Sequence, residues 1–125
     1  MVKKILVVDD DPVVVRMVEA LLKNKGYEVI ISRDGLEALA RIKKDDPDLV
    51  VLDILMPEIN GYDVCCELRF NRDFKKIPIL ILSETEKELD AETEKRANIK
   101  YLHKPFEKDE FLKEIDLLLA TASAK

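Results

Sequence analysis

Acidic, hydroxyl and lysine side chains follow the apolar segments of this sequence, each where a segment ends. Two carboxylates follow the first segment, one follows the third, a serine ends the fourth and a lysine follows the fifth. In chain order these residues are Asp9, Asp10, Asp53, Ser83 and Lys104. If the segment ends meet in the fold, three carboxylates, one hydroxyl and one ammonium group share a shallow pocket.

Such a pocket favours a divalent metal ion and phosphate chemistry. Carboxylates packed closely together repel one another, which raises their pKa values unless a cation neutralises them. Oxygen ligands without thiolate or imidazole favour a hard ion such as Mg²⁺, whose open positions could take phosphoryl oxygens. Lys104 and Ser83 could bind further phosphoryl oxygens, and an aspartate carboxylate is a competent nucleophile for phosphorus. The residue types therefore indicate metal-assisted phosphoryl transfer to an aspartate.

Strands that alternate with helices must position these groups. Continuous apolar runs at 5–8, 49–52 and 79–82 are typical of strands covered on both faces. The weaker segments at 29–31 and 99–102 have the character of edge strands. We therefore predict an α/β fold, a doubly wound parallel sheet of five strands with right-handed crossovers and helices on both faces. In such folds ligands bind at the carboxyl ends of the strands, where the polar residues stand.

The segments between the strands have the periodicity of helices. The first predicted helix has Asp11 as its N-cap, Pro12 at its first position and Gly26 as its stop. The later helices are predicted from Gly35 to Lys44, from near Gly61, over 84–96 and over 108–120. In the fourth of these five helices Leu89 is the only large apolar residue, so we expect this helix to be weakly held.

Length and composition exclude several classes of protein. The chain has 125 residues, 47% hydrophobic and 38% charged, which suits one domain over 1–125 with a core at about 3–119 and a short tail. No apolar run approaches the roughly 20 residues of a membrane-spanning helix, so we expect a cytoplasmic protein. The net charge of −5 gives no reason to expect binding to nucleic acid or anionic lipid. Two adjacent cysteines and one histidine fit neither a disulfide framework nor a His-rich metal site.

Three segments in order resemble a known family. Ile5–Pro12 (ILVVDDDP), Asp53–Gly61 (DILMPEING) and Lys104–Phe106 (KPF), with Ser83 before the last, are similar to the receiver domain of response regulators. This domain is the phosphoacceptor half of two-component signalling. The resemblance covers essentially the whole chain and implies a single (βα)₅ domain with the flavodoxin-like strand order 2-1-3-4-5.

The resemblance also implies ligands for a metal ion. Asp53 is similar to the phosphorylated aspartate, which also binds the metal. Asp10 resembles the direct ligand of Mg²⁺ or Mn²⁺, and Asp9 resembles the neighbour that acts through water. The backbone carbonyl of Leu55 matches the third protein ligand.

Three further residues match the switch machinery of the family. Ser83 resembles the switch hydroxyl, Tyr101 the switch aromatic residue and Lys104 the lysine that binds the phosphoryl group. The implied function is a phosphorylation-dependent switch, in which a histidine kinase or phosphotransfer protein donates a phosphoryl group to Asp53. The face formed by the fourth helix, the fifth strand and the last helix then changes to control an unknown protein target.

The resemblance further predicts how such a switch operates. It promotes only its own phosphorylation and dephosphorylation and is otherwise no enzyme. We expect a stand-alone regulator without direct nucleic-acid or membrane partners, either monomeric or dimeric on phosphorylation.

The sequence departs from the family pattern in three places. Glu84 follows Ser83, where the family usually has a small residue, and it is expected to alter the rates of phosphorylation and hydrolysis. The segment from Ser83 to Tyr101 is one residue shorter than usual, and Ala97-Asn98 replaces the usual Gly-Ala. Both of these changes affect the fourth helix and its exit.

Three other functions compete with this interpretation. A haloacid-dehalogenase-type phosphatase would use Asp9 and Asp11 as its Asp-x-Asp pair, but the acidic pair expected after the lysine is missing and Asp53 is unexplained. Binding of FMN, as in flavodoxins, fits the fold, but three acids after the first strand would repel the phosphate. A degenerate receiver that binds partners without phosphorylation is favoured by Glu84 and opposed by the intact acidic residues and Lys104.

Overall fold

Four parts of the chain are described by this computed structural model. They are residues 2–53, 77–83, 99–104 and 106–123. For Asp53, Ser83 and residues 121–123 the backbone is described but the side chain is not. The helices predicted from near Gly61 and over 84–96 lie outside the described residues.

Five parallel strands form one sheet. They are β1 (Lys4–Val8), β2 (Glu28–Ser32), β3 (Leu49–Asp53), β4 (Ile79–Ser83) and β5 (Ile99–His103). The strands lie in the order β2-β1-β3-β4-β5, and every neighbouring pair is parallel. This confirms the predicted order 2-1-3-4-5. It also confirms that the two less apolar strands, β2 and β5, lie at the edges.

Helices cover both faces of the sheet, as the continuous apolar runs predicted. On one face, α2 (Gly35–Asp45) buries Ala38 and Ile42. On the other face lie α1 (Pro12–Asn24) and the C-terminal helix (Lys108–Ser123). Because successive side chains in a strand point to opposite faces, each apolar run supplies both cores. Leu6, Val8, Val50, Leu52, Ile79 and Ile81 belong to the core beneath α2, and Ile5, Val7, Leu49, Val51, Leu80 and Leu82 belong to the other core.

The ends of the helices follow from local side chains. Asp11 caps α1 by accepting the backbone N–H of Val13 at 2.9 Å, with Pro12 at the first helical position as predicted. The chain leaves α1 through Gly26, whose φ of +92° is accessible to glycine at little cost. The C-terminal helix continues to Ser123, three residues beyond the predicted end, so part of the predicted tail is helical. None of the described helices combines the length and apolar character needed to cross a bilayer.

A hydrogen bond joins the turn after α1 to the C-terminal helix. The Tyr27 hydroxyl donates to Asp116 Oδ1 at 2.5 Å, and Lys25 Nζ lies 3.6 Å from the other carboxylate oxygen. Burial, followed by the hydrogen bond to Asp116 and its negative charge, raises the pKa of Tyr27 to about 12. The neutral phenol is therefore the form that this contact stabilises.

Titration of the tyrosines should report on this contact. The phenol of Tyr27 keeps its proton in the folded state to about pH 12, whereas in the unfolded state it ionises near pH 10. The contribution of the contact to stability is therefore fully present below about pH 10 and is lost as the pH rises towards 12. Ultraviolet absorbance of tyrosinate should show a late-ionising component, and the contribution of Tyr27 to it should disappear in Tyr27→Phe.

Asp116→Asn tests how much of the raised pKa of Tyr27 comes from its contact with Asp116. It should lower the pKa of Tyr27 only in part, because burial is the largest cause of the shift. A titration in which Asp116→Asn leaves the late component unchanged would contradict the assigned contact.

Candidate functional site

The polar residues predicted from the strand ends lie at one edge of the sheet. Asp9 directly follows β1, Asp53 and Ser83 are the last residues of β3 and β4, and Lys104 directly follows β5. The ends are level, because Val8 pairs with Leu52, Asp53 with Leu82 and Ser83 with His103. The expected convergence at the carboxyl edge is thus present in the backbone.

Asp9 is buried within this edge, with an exposed fraction of only 1%. Its Oδ1 atom accepts the backbone N–H of Asp11 at 3.0 Å. Its own backbone N–H donates to the carbonyl of Ser32, the last residue of β2, at 3.2 Å. The carboxylate is therefore held by the first turn of the chain after β1, and the backbone of Asp9 is held by the neighbouring strand.

Lys104 supplies a cation to this buried carboxylate. Its Nζ atom lies 3.5 Å from Asp9 Oδ2, and its side chain is only 14% exposed. A buried carboxylate without a compensating charge is costly, so the lysine acts as the counter-ion of Asp9. Because β3 and β4 separate β1 from β5, roughly 14 Å of sheet lie between the two backbones. The ion pair therefore spans the strand ends that Asp53 and Ser83 occupy.

The donor set at this edge fits a hard divalent cation. Within the described parts of the chain, no hydrogen-bond donor reaches the buried Asp9 Oδ2. Asp10 directly follows Asp9 and has an exposed side chain. Carboxylate oxygens of this kind suit Mg²⁺. Among the residues whose side chains are described, no group of three potential acidic, histidine or cysteine ligands gathers at one point. Of the other predicted ligands, the Asp53 side chain and all of Leu55 lie outside the described residues.

Tyr101 lies in β5, beside the strand that ends in Ser83. Its side chain is half-buried and packs against the core beneath α2. Ile81 of β4 is its partner in the strand register. Its role as a switch residue stays a prediction, as do the roles of Ser83 and Glu84, the latter being outside the described residues.

A cavity of about 270 Å³ opens beside Asp9, and the sequence patterns did not predict it. Its lining residues are Asp9, Asp10, Pro12, Val15, Arg16, Ile31 and Arg33. The sequence positions of the two arginines could have indicated that they lie near the carboxyl edge of the sheet. Arg33 directly follows β2 and so belongs to the same carboxyl edge, whereas Arg16 lies one helical turn beyond Pro12.

Comparison with known proteins identifies the family. The family model described as the response regulator receiver domain matches residues 5–116. Protein PilG of Pseudomonas aeruginosa is 38% identical over 110 residues, which cover 87% of this chain and 82% of PilG. In several other curated relatives the matched part is only 32% to 50% of their length.

Solved structures agree with the sequence comparison. The chemotaxis response regulator CheY4 of Vibrio cholerae superimposes with a TM-score of 0.84 at 31% identity, covering 94% of this chain and 99% of CheY4. The receiver domain of the sensor histidine kinase PA1611 from Pseudomonas aeruginosa, with a magnesium ion coordinated in its active-site cleft, gives a TM-score of 0.81. The receiver domain of PA1611 is 28% identical to this chain, and the match covers 96% of this chain and 99% of that domain. With the sheet order and the family match over most of its length, this chain belongs to the response regulator receiver domain family.

Proposed function

We propose that this chain is a phosphorylation-controlled switch that accepts a phosphoryl group on Asp53. The donor is the phosphohistidine of a histidine kinase or phosphotransfer protein in the cytoplasm. The observation that carries the proposal is the buried Asp9–Lys104 ion pair, which spans the edge where β3 ends in Asp53. An isolated structural ion pair would not require a further carboxylate at the same edge. The family match favours this function over the phosphatase and FMN-binding alternatives.

The metal ion in this proposal is Mg²⁺ or Mn²⁺. Asp10, the Asp53 side chain and the Leu55 carbonyl would hold it directly, and Asp9 would hold it through water. The magnesium ion in the cleft of the PA1611 receiver domain supports this assignment. When bound, such an ion neutralises part of the charge on the transferring phosphoryl group.

Each residue of the site then has its own role in the transfer of the phosphoryl group. A carboxylate oxygen of Asp53 forms a bond to phosphorus as the bond from phosphorus to the imidazole nitrogen breaks. Lys104 pairs with a phosphoryl oxygen, which draws its ammonium group away from Asp9. The Ser83 hydroxyl donates a hydrogen bond to another phosphoryl oxygen. The Tyr101 side chain then moves into the space that Ser83 leaves. Hydrolysis of the aspartyl phosphate returns the switch to its resting state, so the only reactions promoted are those of the chain itself.

The output of the switch is a change of surface. We infer that phosphorylation biases the face formed by the fourth helix, β5 and the C-terminal helix between two arrangements. A protein target, or a second copy of the chain, would read that face. Residues 1–125 act as one receiver domain in this proposal, whether alone or within a longer regulator.

Intact-mass spectrometry after incubation with phosphoramidate and Mg²⁺ tests the proposed function. Phosphoramidate donates phosphorus from a P–N bond, as phosphohistidine does, and cannot acetylate lysines. We expect the mass of one phosphoryl group to be added with Mg²⁺, none to be added with excess chelator, and hydroxylamine to remove the adduct. The absence of any adduct would overturn the proposal. Continued release of phosphate from many phosphate esters would favour the phosphatase instead.

Lys104→Met should separate phosphoryl transfer from metal binding. We expect the phosphorylation rate to fall by about 100-fold, because a donor to the developing phosphoryl charge is lost. Affinity for Mg²⁺, measured by calorimetry, should be retained or increased, because the cation 3.5 Å from Asp9 Oδ2 no longer competes. Lys100→Met is the matched control, since Lys100 is an exposed lysine of β5, the strand that Lys104 directly follows. Equal rates for the two variants would contradict the role of Lys104.

A further inference from the structure

We propose that the cavity beside Asp9 is a subsite for a small phosphate-bearing anion, held by Arg16 and Arg33 and occupied when a divalent cation is bound at Asp9 and Asp10. The inference rests on the proposed function, because it requires that metal ion. It adds a second position for an anionic group next to the site of phosphoryl transfer.

The two arginines reach the cavity from separate elements of the fold. Arg16 comes from the first turns of α1 and Arg33 from the residue after β2, and both line the cavity with exposed side chains. A guanidinium presents several N–H donors in a plane that matches two oxygens of a phosphate or carboxylate. Val15 and Ile31 form apolar walls.

Neither guanidinium is committed to a partner within the described part of the chain. No ion pair or side-chain hydrogen bond joins Arg16 or Arg33 to another described residue. Arg41 differs, since its Nη1 atom lies 3.4 Å from Asp45 Oδ2, one turn further along α2. An anion bound between the two guanidinium groups would be attracted by both of them.

The acidic residues of the cavity determine when an anion can enter. Asp9 and Asp10 balance Arg16 and Arg33, so the formal charge of the lining is zero. Lys104 already faces Asp9. A bound Mg²⁺ would raise the total to about +2 and remove the repulsion between the carboxylates and an incoming phosphate. Binding of the cation and of the anion should therefore be positively coupled, and each should tighten the other by the same factor.

The size of the cavity restricts the ligand. A volume of about 270 Å³ lies just below the roughly 300–1,000 Å³ of pockets that hold drug-sized molecules. A phosphate group with a short attached chain fits this volume. The subsite thus favours small phosphorylated molecules, including phosphodonors that carry a second anionic group.

Side-chain NMR of the full chain can test the subsite with inorganic phosphate as the probe. The Nε–Hε signals of Arg16 and Arg33 are followed during a phosphate titration with Mg²⁺ present and with Mg²⁺ chelated. We expect both signals to shift saturably with Mg²⁺, and the affinity to be about tenfold weaker without it. Arg16→Gln and Arg33→Gln should each weaken phosphate binding by about tenfold, whereas Arg41→Gln should leave it unchanged. Signals that do not saturate, or that move no more than that of Arg41, would overturn the inference.

Two further measurements separate this inference from its premises. In Lys104→Met, phosphate should still shift the arginine signals, since the subsite does not depend on the lysine; loss of those shifts would mean that phosphate binds only at the phosphoryl site. Calorimetry shows whether Mg²⁺ binds at all and whether Asp10→Asn removes it. If Mg²⁺ binds and Asp53 is phosphorylated while phosphate leaves the arginines undisturbed, the subsite alone is wrong. If Mg²⁺ does not bind, the proposed function fails as well.

Discussion

Asp53→Asn will take up no phosphoryl group from phosphoramidate under conditions that phosphorylate the wild-type chain completely. Asparagine has nearly the shape of aspartate, but its neutral amide is no nucleophile for phosphorus at neutral pH. The substitution also removes one negative charge from the edge that holds Asp9 and Asp10. Folding should therefore be unimpaired, and the free energy of unfolding without Mg²⁺ should be equal to or greater than that of the wild type.

Asp11→Asn is the matched control for this result. Asp11 caps α1 through its bond to the backbone N–H of Val13, and asparagine is an equally good N-cap. Its adduct should therefore form as in the wild type. An adduct that persists in Asp53→Asn would contradict Asp53 as the nucleophile. If the adduct also disappears in Asp11→Asn, the result would support the phosphatase alternative. Peptide mapping of the wild-type adduct gives an independent location for the phosphoryl group.

Phe111→Ala should strongly destabilise the folded chain. Phe111 is fully buried in the core that α1 and the C-terminal helix form with the sheet, and its ring stacks on that of Phe106 with centroids 5.3 Å apart. Removing a buried phenyl ring costs about 3–5 kcal/mol, because transfer free energy is lost and a cavity is left. Total stabilities of small domains are about 5–15 kcal/mol, so the loss should be plain in urea unfolding followed by circular dichroism.

Leu117→Ala tests whether burial causes that loss. Leu117 lies in the same helix but is 52% exposed, so its truncation should change the free energy of unfolding by about 0.5 kcal/mol or less. Both variants introduce alanine into one helix, which keeps helix propensity similar. If Phe111→Ala fails to fold, Phe111→Leu should still fold with a loss of about 1–2 kcal/mol. Similar losses for positions 111 and 117 would contradict the described packing.

The strands and their order could be predicted because their causes are local or general. The run Ile5–Val8 is apolar at every position, and a strand covered on both faces buries such a run completely. The start of α1 was equally clear, since Asp11 and Pro12 determine it with their own side chain and ring. The exit of α2 was less clear, because Asp46 adopts a left-handed φ of 47°, which is uncommon for residues other than glycine.

The candidate site could be predicted only as far as strand ends determine it. Parallel strands bring Asp9 and Lys104 to one edge, and the sequence suffices for that step. Their 3.5 Å contact could not be foreseen, because it depends on how far a lysine reaches over two intervening strands. The hydrogen bond from Tyr27 to Asp116 could not be foreseen either, because its partners are 89 residues apart in the sequence. The cavity with Arg16 and Arg33 likewise arises from the packing of α1 beside β2.

The position of β1 between β2 and β3 determines how the chain can assemble during synthesis. Residues 4–53 contain three adjacent strands and both helices that connect them, so this half can pair before β4 leaves the ribosome. Until then β3 is an edge strand whose apolar run at 49–52 has no partner on one side. The unpaired backbone groups of such an edge can form hydrogen bonds with strands of other nascent chains. We therefore expect rapid translation through β4, or a chaperone that covers β3, to protect this protein from co-translational aggregation.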